Sequence, residues 1–394
     1  MFGRRLPLVR LLGFEIRFDL TWLILVALII WTLSAGYFPA TYADLSAATY
    51  FWMAVLGAVG LIASIVVHEL AHSVVARRFG IEIHGITLFA FGGAAEMVSE
   101  PPTPKAEFWM AAAGPITSLV IAALFWLVAV ALQATGIPGP FIAVLAYLSG
   151  INIILAIFNL VPGFPLDGGR MLRAVLWGWK RDLRWATRVA AAVGGGFGLG
   201  LVLLGLLNVF TGNLVGGLWM FLIGLFLRAA ASSSYQALVT REALSGIPAA
   251  QLMTRQPITV SPDTRIADLI EEYFLGRYLK FVPVTAGDRL LGFVDVRAAK
   301  AVPREEWSHR NVGGIMTPAS PDNTIRPDTD AATALEQMQR SGNSRLLVAD
   351  GGRLMGILAL KDMMRVIGLR SDFEDLRPSG GSTDKSWHSG YGRA

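Results

Sequence analysis

The chain has 394 residues, a mean hydropathy of +0.52 and only 16% charged side chains, which excludes an ordinary soluble protein and places most of it in lipid. Its net charge of +5, from 34 basic against 29 acidic residues, is spread between hydrophobic segments; that suits an inner membrane surface and excludes a nucleic-acid-binding stripe. With no cysteine there are no disulfides and no thiolate ligands, so any zinc must be held by histidine and carboxylate.

Arg4, Arg5, Arg10 and Arg17 precede a first apolar run from about Leu20 to Phe38, long enough to cross a bilayer. A charged start of this kind also resembles a signal peptide. The run is longer than a signal core and further spans follow, so it reads as a retained anchor. Further spans are predicted near Phe51 to Ala76, Phe108 to Leu132, Phe141 to Val161, Val189 to Phe210 and Leu214 to Leu227, the last short and glycine-rich. The loops near Tyr37 to Tyr50, Gln133 to Pro140 and Thr211 to Asn213 contain no Lys or Arg. The alternate loops carry Arg77, Arg78, Lys105, Arg170, Arg173, Lys180, Arg181, Arg184, Arg188 and Arg228. That asymmetry predicts a multi-pass cell-membrane protein with both termini in the cytoplasm.

The second span contains His68-Glu69-Leu70-Ala71-His72, which holds two of only five histidines in the chain. Residues four apart lie on one helix face, so His68 and His72 can turn their imidazoles toward one metal ion, with Glu69 beside them for proton transfer. Ionisable groups are costly in a span, and metal coordination gives these three a reason to be there. Arg77 follows His68 by nine residues. At ~1.5 Å per residue, the metal lies roughly 13 Å inside the inner boundary, within reach of cytoplasmic water. The bland alternative is a pair of ordinary surface histidines at helical spacing.

Between Gly80 and Met97, β-branched and aromatic residues punctuated by glycines predict a hairpin or short sheet. Such a sheet beside the metal could pair with an extended substrate backbone; a packed loop is the alternative. His84 is read as structural or surface-exposed, not as a ligand. Pro101-Pro102-Thr103-Pro104 is a stiff lead into the third span. At the end of the fourth span, Asn159-Leu160-Val161-Pro162-Gly163-Phe164-Pro165-Leu166-Asp167-Gly168-Gly169-Arg170 breaks the helix. Irregular backbone lining a cavity can present Asp167 at depth as the third ligand, the alternative being a turn aspartate capping a helix. Arg170 is read as a cytoplasmic anchor.

The His-Glu-Leu-Ala-His helix and the Pro-Leu-Asp-Gly-Gly turn, in this order and topology, resemble the site-2 protease family of intramembrane zinc metalloproteases. The resemblance covers about the first 230 residues, and Gly114-Pro115 in the third span also looks like a family feature. It implies one zinc per chain on His68, His72 and Asp167, and Glu69 as the catalytic residue. Asn159 matches the family's asparagine, whose amide could help hold substrate or the developing oxyanion. The implied substrates are single-span membrane proteins such as anti-sigma factors, cut for regulated intramembrane proteolysis. Cleavage is expected near helix-weakening residues, because an intact helix keeps its carbonyls in intrahelical hydrogen bonds.

After Ala230 the composition becomes soluble, and Leu252-Met253-Thr254 recurs as Ile315-Met316-Thr317. Ser261-Pro262-Asp263-Thr264 answers Arg326-Pro327-Asp328-Thr329, and Leu290-Leu291-Gly292-Phe293 answers Leu354-Met355-Gly356-Ile357. Helix-like runs at Arg265 to Phe274 and Ala331 to Gln339, with strand pairs around Gly287-Asp288 and Gly351-Gly352, make each repeat a small α/β unit. It looks like a tandem pair of CBS domains, a module that often binds adenine nucleotides. The family's ribose-binding hydroxyl and aspartate fall on Asp295 and Ala298 in the first repeat and on Ala359 and Asp362 in the second. Only Asp362 fits, so one adenine-nucleotide site is expected there, or else a pair used for dimerisation or docking.

The expected architecture is a polytopic α-helical membrane protein of about six spans with a short membrane-associated hairpin or sheet, plus a soluble α/β tandem CBS domain. Its boundaries are 1–230 for the protease domain, 231–250 for a linker, 251–310 and 311–370 for the repeats, and 371–394 for a disordered tail. Two other functions fit the buried charges: a CBS-regulated channel or transporter, and a metal-binding relative without proteolysis.

Overall fold

In the computed structural model, which describes residues 5–19, 21–81, 83–89, 92–97 and 100–374, the residues ahead of the first span form a β-hairpin. Its strands are β1 (Arg5–Leu11) and β2 (Phe14–Asp19). Leu12 and Gly13 sit between them at φ of 52° and 89°, the left-handed conformations a two-residue hairpin turn requires. The sequence reading took this stretch only as a basic flank. After the second span, β3 (Ile83–Phe89) and β4 (Gly92–Met97) form the hairpin predicted there. The four strands join in the order β1-β2-β3-β4, with β2 and β3 parallel and the outer pairs antiparallel. His84 lies on β3, and its side chain is outside the described ones.

The spans follow from long apolar runs. α1 (Thr21–Thr32) passes through a π-helical turn, Leu33–Tyr37, into α2 (Phe38–Thr41). Then come α3 (Ala47–Arg78), α4 (Pro104–Gln133), α5 (Gly139–Asn159), the short amphipathic α6 (Asp167–Lys180), α7 (Leu183–Phe210) and α8 (Leu214–Leu244). Among the described residues, six helical segments are long and apolar enough to cross a membrane: Trp22–Thr41 and the helices α3, α4, α5, α7 and α8. The sixth, expected to end at Leu227, continues to Leu244, through most of the stretch expected as a linker. Trp31, Trp52, Val120 and Trp126 are more than half exposed, as side chains facing lipid should be.

The sheet is fastened to the helix that carries both span histidines. Ile16 and Ile86 are cross-strand partners and fully buried, and with Phe14 they pack on Val66 and Leu70 of α3. Arg77, at the end of α3, donates to the Leu12 carbonyl at 2.9 Å and stacks its guanidinium 4.8 Å from the Phe14 ring centre. One face of apolar burial and one charge therefore set the sheet beside the C-terminal half of α3.

The chain divides into two units, Met1–Gln236 and Ala237–Ala394. In the second, each repeat has its own apolar core: Val282, Val284 and Val294 with Ile266 and Leu269, and Leu346, Val348 and Leu358 with Ala331 and Leu335. Strands Phe281–Ala286 and Arg289–Asp295 pair antiparallel with a register shift after Val284; Arg345–Asp350 and Arg353–Ala359 do the same with a shift after Val348. The repeat seen in the sequence is thus a repeat of backbone geometry. The first repeat's predicted helix is Ile266–Asp268 followed by a π-helical turn, Leu269–Leu275; the second is Ala331–Ser341. The expected tail falls mostly on residues 375–394, with His388 among them, outside the described residues.

Candidate metal centre

His68 and His72 stand on one face of α3, and α4 crosses that face. Met110, Gly114 and Ser118 recur every four residues on α4, so they too share a face. The His72 Nδ1 donates to the Met110 carbonyl at 2.7 Å, and the His68 Nδ1 lies 2.8 Å from the Ser118 hydroxyl. A backbone carbonyl can only accept. A neutral His72 bonded this way must present the bare lone pair of Nε2 on its other side. Between the two contacts, α4 offers only the Cα of Gly114: a Cβ there would stand 2.3 Å from the His72 Nε2 and 2.5 Å from the His68 Nε2.

Asp167 reaches the same point from a distant part of the chain. α5 ends at Asn159, and the Val161 to Leu166 segment turns back through Gly163 N–H to the Val161 carbonyl and Leu166 N–H to the Gly163 carbonyl. The segment contains a cis Phe164–Pro165 peptide and is tied to α7 by the Phe164 N–H, which donates to the Ala190 carbonyl at 3.1 Å. Gly194 of α7 lets this backbone approach, since a Cβ there would fall 1.9 Å from the Phe164 carbonyl oxygen. α6 then begins at Asp167, where the positive end of the helix dipole favours a carboxylate.

One oxygen, Asp167 Oδ2, lies 3.1 Å from the His68 Nε2 and 3.3 Å from the His72 Nε2. The side chains are 15%, 5% and 12% exposed, so water is largely excluded. At least two bare acceptors at this separation repel unless a cation lies among them. The three donor atoms lie within 4.8 Å of one another, and the two carboxylate-to-imidazole separations are close to the roughly 3.3–3.5 Å that tetrahedral zinc with bonds of about 2.0–2.2 Å sets between its ligand atoms, so these residues can hold zinc. Glu69 is half-buried one residue from His68 and outside that cluster.

The three residues expected as ligands are therefore together. The Asn159 amide donates from Nδ2 to the Leu155 carbonyl of its own helix at 3.0 Å. Arg170, read as an anchor, comes within 3.9 Å of the Glu107 carboxylate. In the second unit, Asp362 stands in the first turn of the helix Leu360–Glu374. Its Oδ2 is buried and has no hydrogen-bond partner among the described residues. Sequence reasoning missed Met110, Ser118, Glu107 and Arg173. The four-residue spacing of Met110, Gly114 and Ser118 was available as a signal, but nothing in the sequence says which face of α4 meets α3.

Comparison with known proteins places the chain in a family. The model for peptidase family M50 matches residues 56–140 and 137–203, and the CBS domain model matches residues 249–301 and 312–369. The chain is similar to Rip3 of Mycobacterium tuberculosis, 38% identical over 364 residues and 92% of each chain. A zinc metalloprotease of Methanocaldococcus jannaschii is 30% identical over 319 residues, 80% of this chain and 86% of that one. The solved site-2 protease from Methanocaldococcus jannaschii covers 59% of this chain and 95% of its own, at 30% identity and a TM-score of 0.42. The chain therefore belongs to peptidase family M50, the site-2 protease family of membrane-embedded zinc metalloproteases that hydrolyse peptide bonds, and it carries a tandem CBS pair.

Proposed function

We propose that the protein cuts the transmembrane segments of single-span membrane proteins, such as anti-sigma factors, in regulated intramembrane proteolysis. The observation that carries this reading is a single carboxylate oxygen, from Asp167, shared at 3.1 and 3.3 Å by two imidazoles on a spanning helix. His68, His72 and Asp167 hold one zinc. When bound, zinc supplies Lewis-acid polarisation of a water and of the scissile carbonyl. Glu69 takes the proton of the attacking water on its carboxylate and returns it to the leaving nitrogen. Met110 fixes the tautomer of a neutral His72, and Met110 and Ser118 together hold the two ring planes from α4.

Substrate must arrive extended, since a helix keeps its carbonyls engaged. β4 is the last strand of its sheet, paired on one side with β3, and that sheet is packed on the helix of the two histidines. A substrate strand adds there through its backbone, independent of its side chains. The basic residues of the alternate loops support cytoplasmic termini.

Metal removal tests the reading. Purified full-length protein dialysed against a strong zinc chelator should lose cleavage of a single-span reporter, and stoichiometric zinc should restore it. Cleavage that persists in metal-free protein would overturn the proposal.

For the CBS pair we infer one adenine-nucleotide site at Asp362, whose buried Oδ2 has no hydrogen-bond partner among the described residues and would be satisfied by a donor such as a ribose hydroxyl. Ala359 withholds the family's hydroxyl, and Asp295 with Ala298 depart from the pattern in the first repeat, which supports a single site. Titrating the full-length protein with ATP by calorimetry should give one site that Asp362→Ala weakens at least 10-fold. No heat at millimolar ATP would favour a dimerisation module instead.

A further inference from the structure

We propose that the buried ion pair between Glu107 of α4 and Arg173 of α6 is the positioning device of the metal centre. Glu107 is fully buried and Arg173 is 5% exposed. Arg173 donates from Nε to Glu107 Oε1 at 2.6 Å, and its terminal nitrogen Nη2 contacts the same oxygen. That Nη2 also reaches Glu100 Oε2 at 3.1 Å, and the guanidinium lies over the Phe164 ring, 5.2 Å from its centre.

These contacts fall between the two halves of the site. Glu107 stands three residues before Met110, whose carbonyl holds His72, and on the same helix as Ser118, which holds His68. Arg173 stands six residues after Asp167 and touches Phe164 in the segment that delivers Asp167. The helix that orients the imidazoles is thus joined to the helix and loop that carry the carboxylate.

Packing alone does not call for this pair. Two buried charges are commonly no better for stability than apolar side chains of the same volume. Glu107 Oε2 is also buried without a hydrogen-bond partner among the described residues, a cost that a methionine would not bear. What a planar guanidinium on a carboxylate adds is direction. It fixes the rotation and height of α6 against α4, and a metal site depends on both at the scale of a few tenths of an ångström.

The inference rests on the metal-centre reading of His68, His72 and Asp167. Its test compares full-length wild type with Arg173→Lys, the double variant Glu107→Met with Arg173→Met, and His68→Ala. The readouts are zinc affinity by chelator competition, kcat and KM on a single-span reporter, and the unfolding temperature. The expected result for the double variant is a wild-type unfolding temperature with zinc affinity and kcat each 10- to 100-fold lower and KM near wild type. Arg173→Lys, which keeps the charge and loses the fork, should fall between the two. If the double variant binds zinc and turns over like wild type, the pair is structural only and the proposal is overturned. Should the double variant not fold, wild-type zinc affinity and kcat in Arg173→Lys would overturn it equally. His68→Ala separates the two readings: zinc binding unaffected there means that the metal-centre reading itself has failed.

Discussion

Glu69→Gln should retain its zinc and lose cleavage by roughly 10²- to 10⁴-fold, the range general acid–base catalysis contributes. Glutamine has the shape of glutamate and can still hydrogen-bond a water, but it cannot take a proton and give it back. The loss corresponds to about 3–5 kcal/mol of transition-state stabilisation. Zinc should stay because Glu69 is no part of the His68, His72 and Asp167 cluster. Zinc content by mass spectrometry and cleavage of a single-span reporter, measured on one preparation, check both halves. A variant that cleaves at the wild-type rate, or that loses its zinc, would remove Glu69 from the role of proton carrier.

Gly114→Ala, a change of one methyl group, should lower zinc affinity by 10²-fold or more and take activity with it. The new Cβ would lie 2.3 and 2.5 Å from the two Nε2 atoms, where a van der Waals contact needs well over 3 Å. The rings have nowhere to go. His72 is held at its far nitrogen by Met110 and His68 by Ser118, one turn to either side of Gly114 on the same helix. Moving a ring breaks its outer-shell bond, which alone costs typically 10- to 100-fold in metal affinity; moving α4 away stretches both. Gly150→Ala on α5, where a Cβ meets nothing within 4 Å, is the matched control and should bind zinc as wild type. Equal zinc affinity in the two variants would show that α4 does not press on the ligands as described.

Helical spacing placed His68 and His72 on one face, and a proline-broken turn marked Asp167, so the three residues that the structure brings together were readable from local rules. Family membership then decides for a peptidase over a channel or transporter. Asn159 shows what such rules leave out. Its motif position suggests a hand on substrate, and the structure adds that one amide N–H is tied to the Leu155 carbonyl one turn back, a local bond that polar side chains with a backbone acceptor at i−4 commonly make. The N-terminal strands were overlooked for a different reason: in Arg5–Leu11 basic residues drew attention to charge, and the two-residue turn at Leu12-Gly13 needs a left-handed leucine that no propensity favours.

By itself the sequence determined the number of spans, the face that carries two imidazoles and the internal repeat, and it marked Asp167 as the candidate third ligand. The first two depend on residues near one another in the chain, through hydropathy and helical period; the repeat is legible as the same short pattern recurring, and the aspartate through a helix-breaking turn. Only the tertiary structure decided that α4 meets α3 with its Met110-Gly114-Ser118 face, that Glu107 finds Arg173, and that the sheet is seated on α3 by Ile16, Ile86 and Arg77. A helix has several faces that sequence alone ranks as equals. Which one turns inward is set by how closely two backbones can approach, and here a single glycine lets that happen beside the metal ligands.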